Sequence, residues 1–258
     1  MKKKLLCALL TLTMCTGLLP ATALAETTVP TVPTVEDKNI YANGVPIVIE
    51  ARNPSTYDTW IYYMDGDEKV DIDLNPDGME EYTIYGGAKN GTVDSTSITM
   101  TGGMVGRIYG GGDEGSTVDG DTSISISGGY VDGMTYGGGN KGTIKGNTSV
   151  TISEGTLDDW AYGGSYDGTV EGNSSVTMTG GVVGTDTSGI YGGNWKGTVK
   201  GNTSVTITGG TVKGNVSRTI DASSVVKGNW QIVRGGTNVN GTIDAPDGSL
   251  EKTGMLTN

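Results

Sequence analysis

Aromatic side chains and carboxylates recur together in one part of the chain, in an arrangement that could hold a sugar. Tyr166 and Trp195 occupy the same position in two neighbouring copies of a repeated sequence, and Trp160 precedes the tyrosine that opens the first copy. The nearby carboxylates are those of Asp158, Asp159 and Asp167. Aromatic rings with convergent polar groups are typical of ligand sites. We therefore expect Trp160, Tyr166, Trp195 and Asp167 to bind carbohydrate. The alternative is that these rings only pack laterally on the wall of the fold.

Carboxylates alone can also catalyse the cleavage of glycosidic bonds. The sequence has no histidine, and its two cysteines are Cys7 and Cys15. The acids are scattered, and none forms a pair to which acid and base roles can be assigned. A loop starting at Asp73 matches the beginning of a calcium-binding motif but has Ile84 where the bidentate glutamate is required. We therefore predict no enzyme, no cofactor and no metal, with a carbohydrate-active lyase or hydrolase as the alternative.

Hydroxyl side chains form a second regular set. They alternate with apolar residues in the longest run of each repeat: Ser97, Thr99, Thr101; Ser123, Ser125, Ser127; Ser149, Thr151, Ser153; Ser175, Thr177, Thr179; Ser204, Thr206, Thr208. A flat array of threonine could bind ice or a crystal surface. Serine and threonine also simply suit exposed strand positions, and serine interrupts the threonine pattern in most rows, so we favour a structural role.

The repeats that position these residues open with Tyr-Gly-Gly. This tripeptide begins at Tyr85, Tyr109, Tyr136, Tyr162 and Tyr191, at intervals of 24, 27, 26 and 29 residues. Three apolar positions recur within each copy. They are Val93, Val118, Ile144, Val170, Val199; Ile98, Ile124, Val150, Val176, Val205; and Met100, Ile126, Ile152, Met178, Ile207. Repeats of this length, built from short β-type runs, indicate a solenoid in which each strand pairs in parallel with its copy in the next coil.

The fold class that follows is all-β: a parallel β-helix, or β-solenoid, expected to be right-handed with about three short strands per coil. Glycines after each long run, such as Gly128-Gly129, are expected to turn the chain with unusual dihedral angles. Asn147, Asn173 and Asn202 are expected to form a ladder of hydrogen-bonded amides at another turn.

The repeat Tyr-Gly-Gly-x-x-x-Gly-Thr-Val-x-Gly-Asn-Thr-Ser-Val-Thr-Ile-Thr-Gly-Gly, read from Tyr191 onward, resembles the β-helical, adhesin-like repeats of secreted and surface proteins from gut bacteria. The resemblance covers about 85–240. It implies a β-helix like that of pectin lyases and a cell-surface setting, and it implies no activity.

The chain divides into five predicted segments. They are a signal peptide (1–25), a Pro/Thr-rich lead-in (26–36), an N-terminal β cap (37–84), the β-helix repeats with a degenerate last coil (85–244) and a tail (245–258). The basic start, the apolar run and Ala23-Leu-Ala25 are typical of a secretory signal. Within the cap, Trp60–Asp73 is predicted to form a hairpin that turns at Asp65-Gly66.

Charge and location limit the partners. The formal net charge is −12, which makes nucleic acid a poor partner. We expect a secreted or cell-surface protein with a glycan or other cell-surface ligand, and no membrane span in the mature chain.

Overall fold

The computed structural model describes residues 29–53, 58–72, 82–184 and 188–213, together with the backbone of two short strands at 225–226 and 233–234. These residues form an all-β structure of parallel, stacked coils with about five turns. The predicted fold class is therefore confirmed, while the right-handed sense stays a prediction. The predicted signal peptide (1–25), the predicted tail (245–258) and most of the loop that starts at Asp73 lie outside the described residues.

Five strands precede the repeats: β1 (Thr34–Glu36), β2 (Asn39–Tyr41), β3 (Ile47–Ala51), β4 (Thr59–Asp65) and β5 (Glu68–Asp71). Strand β1 is antiparallel to β2, and β3, β4 and β5 form an antiparallel meander. The predicted hairpin is confirmed as β4 and β5, but Asp65 is paired to Glu68, so the two loop residues are Gly66 and Asp67 and not the predicted Asp65-Gly66. Gly66, the first of the two loop residues, has a φ of 63°, as a tight hairpin turn requires.

The repeats supply the remaining strands. They are β6 (Thr83–Tyr85), β7 (Gly91–Val93), β8 (Thr96–Met100), β9 (Met104–Val105), β10 (Arg107–Tyr109), β11 (Ser116–Val118), β12 (Thr122–Val131), β13 (Thr135–Tyr136), β14 (Thr143–Ile144), β15 (Thr148–Leu157), β16 (Ala161–Tyr162), β17 (Asp167–Val170), β18 (Ser174–Met178), β19 (Val182–Val183), β20 (Ile190–Tyr191), β21 (Lys196–Val199), β22 (Thr203–Ile207), β23 (Thr211–Val212), β24 (Val225–Val226) and β25 (Val233–Arg234).

Three sheets run along the solenoid. The tyrosine sheet has the order β1-β2-β6-β10-β13-β16-β20-β25. The Gly-Thr-Val sheet has the order β21-β17-β14-β11-β7. The long-strand sheet has the order β24-β22-β18-β15-β12-β8-β3-β4-β5, with β9, β19 and β23 pairing beside this path. Each of the five Tyr-Gly-Gly coils contributes one tyrosine strand, one Gly-Thr-Val strand and one long strand, in that order along the chain.

The predicted apolar columns form the interior. The two columns of the long strands, which begin at Ile98 and Met100, are 0–1% exposed throughout. The column that begins at Val93 is also buried, except that Val199 in the last described Gly-Thr-Val strand is half-buried. Valine and isoleucine suit this position because branched side chains pack well on a pleated surface.

The parallel stack begins before the first Tyr-Gly-Gly. Strand β2 pairs in parallel with β6, and β3 pairs in parallel with β8. This earlier coil has Tyr41-Ala-Asn43 where the others have Tyr-Gly-Gly, and Asn43 takes a φ of 56°. The sequence repeat did not reveal it because the Gly-Gly and Gly-Thr-Val parts are missing, and only Ile40-Tyr41 and the alternating Ile47 and Ile49 match the other coils.

Two predicted turn features are confirmed. The second glycine of each pair has a positive φ, at Gly103, Gly129, Gly181 and Gly210, and Gly155 does the same in the divergent third repeat. The backbone N–H of Asn147, Asn173 and Asn202 each donates to the side-chain oxygen one coil below, at 2.7–2.9 Å. Asp121 provides the first acceptor of this ladder. Because each bond runs from a backbone donor to a side-chain acceptor in the neighbouring coil, the coils from Asp121 to Asn202 are fixed to one another at this turn.

Candidate functional site

Six tyrosine rings form a continuous stack along the tyrosine sheet. They are Tyr41, Tyr85, Tyr109, Tyr136, Tyr162 and Tyr191, with neighbouring centroids 4.7–5.0 Å apart and interplanar angles of 5–18°. They belong to a cluster separate from the aliphatic interior, because they alternate with inward residues such as Ile84 and Ile108. The stack gives these tyrosines a structural role, because each ring packs on its copy in the next coil.

The predicted site residues lie over this stack. Trp160, Tyr166 and Trp195 are half-buried and pack against the tyrosines, together with Met134. Tyr166 lies edge-on to Tyr136, with centroids 5.7 Å apart and the planes at 82°. Each of these half-buried rings therefore packs against the tyrosine stack on one side and leaves other parts of its surface accessible.

Trp195 packs on the tyrosine stack in the same way, one coil further along the chain. Its ring lies edge-on to Tyr162, with centroids 5.8 Å apart and the planes at 80°. The backbone N–H of Lys196 donates to the carbonyl oxygen of Tyr166, so Trp195 and Tyr166 do occupy equivalent positions in neighbouring coils. The structure thus brings Tyr166 and Trp195 to one corner, as the sequence predicted, and it also brings Trp160 there.

Trp160 and Trp195 form the closest pair of predicted site residues with a described geometry. Their centroids are 6.2 Å apart and their planes meet at 42°. The backbone N–H of Ala161 donates to the carbonyl oxygen of Gly189, which places Gly189 directly beside Trp160 in the next coil. Because glycine has no side chain, the indole of Trp195 can approach Trp160 from that side. The two indoles form a tilted, half-buried aromatic surface that spans two coils.

A half-buried carboxylate, that of Asp159, lies next to this surface. The Ser188 hydroxyl donates to the Asp159 carboxylate at 3.3 Å, and the Trp160 backbone also hydrogen-bonds to it. Burial raises the pKa of Asp159 above its usual value, and the neighbouring Asp158 adds to that rise. These hydrogen bonds and the Arg107 guanidinium oppose the shift. Asp159 thus adds a partly desolvated acceptor that the sequence analysis did not include among the binding residues.

Asp167, the fourth predicted site residue, has different neighbours. It is exposed and pairs in register with Lys196, and its charge acts on Lys141. The Lys196 ammonium lies 5.8 Å from the centroid of the Tyr166 ring. Asp167 is therefore placed on the Gly-Thr-Val sheet, at the edge of the aromatic corner and between two lysine-bearing coils.

The predicted hydroxyl array lies on the outer face of the long-strand sheet. Several of its serines donate to backbone carbonyls of the preceding coil at 3.3–3.4 Å: Ser123, Ser127, Ser149, Ser153 and Ser175. These long bonds direct the hydroxyls to backbone carbonyls of the neighbouring coil and not to a ligand. They therefore favour the structural interpretation of the array.

Charged side chains on the Gly-Thr-Val sheet form a pattern that the sequence analysis missed. Four of its five strands carry two charges of one sign, one on either side of an outward threonine: Glu114 and Asp119 beside β11, Lys141 and Lys145 beside β14, Asp167 and Glu171 in and beside β17, Lys196 and Lys200 in and beside β21. The sign therefore alternates from coil to coil. Aligning the residues that flank Gly-Thr-Val in the sequence would have shown it.

Ion pairs connect these charged rows along the solenoid. Lys141 Nζ lies 2.9 Å from Glu114 Oε2, and Lys145 Nζ lies 2.7 Å from Asp119 Oδ1. Lys200 Nζ lies 2.6 Å from Glu171 Oε1 and lowers the pKa of that carboxyl. All these side chains are at least 39% exposed, so each pair contributes little to stability by itself.

Neither a metal-binding cluster nor a membrane-spanning helix is present among the described residues. No group of three or more Asp, Glu, His or Cys side chains in these segments is arranged to hold a metal ion. The same segments contain no helix with the length and apolar character of a membrane span.

Comparisons with known proteins do not assign the chain to a family. No protein-family model matches it, and no curated protein or solved structure matches it. The geometry of the described residues is therefore the basis for any functional conclusion.

Proposed function

We propose that this chain is a secreted, non-catalytic protein of the adhesin-like type, which acts at or near a bacterial cell surface and binds carbohydrate at its aromatic corner. The supporting observation is the half-buried pair of Trp160 and Trp195, held 6.2 Å apart in neighbouring coils. The adhesin-like assignment and the pectin-lyase-like character of the β-helix rest on the resemblance of the Tyr-Gly-Gly repeats.

The corner is rigid, which favours binding. Trp195 lies edge-on to Tyr162, and Tyr162 is 0% exposed within the tyrosine stack. The backbone on either side of Trp195 is hydrogen-bonded to the preceding coil through the N–H groups of Trp195 and Lys196. A site whose rings are ordered before binding loses little conformational entropy when the ligand arrives.

The chemistry around the rings matches a neutral or basic sugar. Asp159 supplies a partly buried acceptor on one side, and Asp167 supplies an exposed carboxylate on the other. Carboxylates accept hydrogen bonds from sugar hydroxyls and attract an amino group. The Lys196 ammonium beside Tyr166 adds donors.

One observation favours the second candidate, a carbohydrate-active enzyme. A carboxyl group with a raised pKa beside a second carboxyl group, here Asp159 with Asp158, is a feature of glycosidase acid catalysts. The Ser188 hydroxyl and the Trp160 backbone already bind Asp159, which is why we rank binding first.

The test is a glycan-array screen with the full chain, followed by calorimetry on any glycan that binds. We expect Trp160→Ala and Trp195→Ala each to weaken binding about tenfold or more, which corresponds to about 1.4 kcal/mol. Trp60→Ala is the matched control, because Trp60 is also half-buried beside a tyrosine, at 4.6 Å from Tyr62, but lies on β4. It should leave the affinity unchanged.

Three results would count against this function. The first is the absence of glycan binding, and the second is an equal loss in all three tryptophan variants. The third is release of oligosaccharide from the bound glycan that Asp159→Asn abolishes, which would instead establish the enzyme.

A further inference from the structure

We infer that the outer face of the Gly-Thr-Val sheet is a docking surface for a second copy of this chain, which lies against it face to face and antiparallel. The inference does not depend on carbohydrate binding, although Asp167 and Lys196 border both this face and the aromatic corner. It rests on the alternation of charge between coils, on the exposure of the charged side chains and on the symmetry of the alternation.

The relevant face consists of four rows, one per coil. We number them row 1 (Glu114 and Asp119), row 2 (Lys141 and Lys145), row 3 (Asp167 and Glu171) and row 4 (Lys196 and Lys200). The signs along the solenoid are therefore negative, positive, negative, positive. Strand β7 has one charge of each sign, Lys89 and Asp94, and lies outside the alternation.

In rows 2, 3 and 4 the two charges flank the central threonine at alternate positions. In row 1, Gly115 with a φ of 82° precedes Ser116, so Glu114 lies in the turn before β11 and joins the row through its ion pair with Lys141. In β17, Asp167 and Thr169 face outward while Gly168 and Val170 are buried, and Glu171 continues the outward set. The neighbouring coils align with it, since Asp167 is paired with Lys196 and Thr143 with Thr169. The threonines at the centre, Thr117, Thr143, Thr169 and Thr198, are short, so the charged side chains on both sides are the most prominent groups.

When the order of the four rows is reversed, every row meets a row of opposite charge. When a two-fold axis lies in the plane of the face and perpendicular to the solenoid, row 1 of one copy faces row 4 of the other, and row 2 faces row 3. Every contact then joins opposite charges. A two-fold axis parallel to the solenoid would instead place each row on itself, with like charges in contact. Like-charge contacts are costly, so the pattern selects the antiparallel arrangement.

The size of the face sets the expected strength. Four strands about 4.8 Å apart, each contributing five residues, cover roughly 300 Å² per copy, compared with about 800 Å² per partner in a stable complex. Exposed ion pairs contribute about 0–1 kcal/mol each. We therefore expect a weak association, which is detected at a protein concentration of about 1 mM and strengthens at low ionic strength.

Charge rearrangement provides the main test. In the variant with Asp167→Lys, Glu171→Lys, Lys196→Glu and Lys200→Glu, the rows become negative, positive, positive, negative, and the net charge is unchanged. Every row of an antiparallel partner then meets its own sign. The matched control reverses all eight charges and so retains both the alternation and its complementarity. Sedimentation equilibrium at 10 mM and 500 mM salt should show salt-sensitive association of the wild type and the control, and a monomeric rearranged variant.

Cross-linking determines the direction and does not depend on the folding of the rearranged variant. In a Cys7→Ser, Cys15→Ser background, chains with Thr117→Cys and chains with Thr198→Cys are mixed and treated with a bis-maleimide about 10 Å long, the usual separation of stacked sheets. Antiparallel docking places these two positions opposite each other, so heterodimers should form and neither chain should link to itself.

The proposal is overturned if the wild type stays monomeric at low salt, if all three charge patterns associate equally, or if Thr117→Cys chains cross-link to themselves. Failure of these tests would leave the carbohydrate proposal unaffected, because the two surfaces are tested by different variants.

Discussion

The hydroxyl of Thr122 donates a hydrogen bond of 2.5 Å to the carbonyl oxygen of Gly137, which lies in the next coil. The same bond joins Thr96 to Gly110 at 2.6 Å and also joins Ser174 to Gly192. These hydroxyls are buried, and each satisfies the carbonyl of the first glycine in a Tyr-Gly-Gly turn. They therefore fix the long strand of one coil to the tyrosine strand of the next.

We expect Thr122→Val to destabilise the protein by about 1–3 kcal/mol, because it leaves the Gly137 carbonyl buried without its partner. Thr148→Val is the control. Thr148 occupies the equivalent position one coil later and is equally buried, but its hydroxyl has no hydrogen-bond partner in the described residues. Its replacement should be neutral or slightly stabilising. Urea unfolding followed by circular dichroism measures both, and equal losses would contradict this role of the hydroxyl.

These bonds show what a sequence repeat can and cannot predict. Alternation of apolar and polar residues assigned Ile124 and Ile126 to the interior correctly, since side chains alternate between the two faces of a strand. It could not predict that the Thr122 hydroxyl reaches Gly137, because that contact depends on how one coil turns over the next. The coil that contains Tyr41 was missed for a related reason, as parallel pairing requires backbone shape and only a few shared residues.

The assignment of faces has a direct test in two adjacent residues. Val150 is 1% exposed in the aliphatic interior, whereas Thr151 is exposed on the outer face of the same strand. We expect Val150→Asp to destabilise the protein by more than about 4 kcal/mol or to prevent folding, because a buried charge has no partner there. Thr151→Asp should change stability by about 0.5 kcal/mol or less. Thermal melts of the two variants check this, and similar melting temperatures would mean that the faces are reversed.

The tyrosine stack makes stability sensitive to alkaline pH. Burial, its largest cause, raises the pKa of Tyr109 from 10.0 to about 12, and burial also raises the pKa of Tyr85 and Tyr136. The folded state thus holds the phenol proton more tightly than the unfolded state. The resulting stability is complete below pH 10 and is lost as the pH rises through about 12.

We expect the free energy of unfolding to fall steeply between pH 10 and about 12 in the wild type. In Tyr109→Phe the free energy of unfolding should fall less steeply, because the variant retains the ring and removes one ionisable group. Chemical unfolding at several pH values measures the slopes, and ultraviolet absorbance reports tyrosine ionisation. Ionisation of every tyrosine near pH 10 without loss of β structure would contradict the prediction.

The candidate site was predicted only in part. Equivalent repeat positions gave the proximity of Tyr166 and Trp195, because stacked coils place equivalent residues next to each other. The pairing of Trp195 with Trp160 was not predictable from that rule, since it depends on the absence of a side chain at Gly189 and on the direction in which each ring turns. Asp159 was not assigned to the binding set because its burial, which raises the pKa of its carboxyl, is a property of the folded corner.

This fold requires glycine for two reasons, the close approach of neighbouring coils and a positive φ. Gly137, in the Tyr-Gly-Gly of the third repeat, shows the first reason alone. A Cβ atom there would lie 2.1 Å from the carbonyl oxygen of Gly163 in the next coil, although the φ of Gly137 is not positive. Its role is therefore close approach of one coil to the next. We expect Gly137→Ala to destabilise the protein by about 3 kcal/mol, because backbone must move to relieve the contact.

Gly66→Ala is the complementary variant. Gly66 has a φ of 63°, but an added Cβ meets no atom within 4 Å, so only the backbone strain remains. That strain is expected to cost about 1 kcal/mol. Urea unfolding of both variants gives the two free energies. If Gly66→Ala were the more harmful, backbone strain and not the spacing between coils would be the dominant constraint on glycine in this fold.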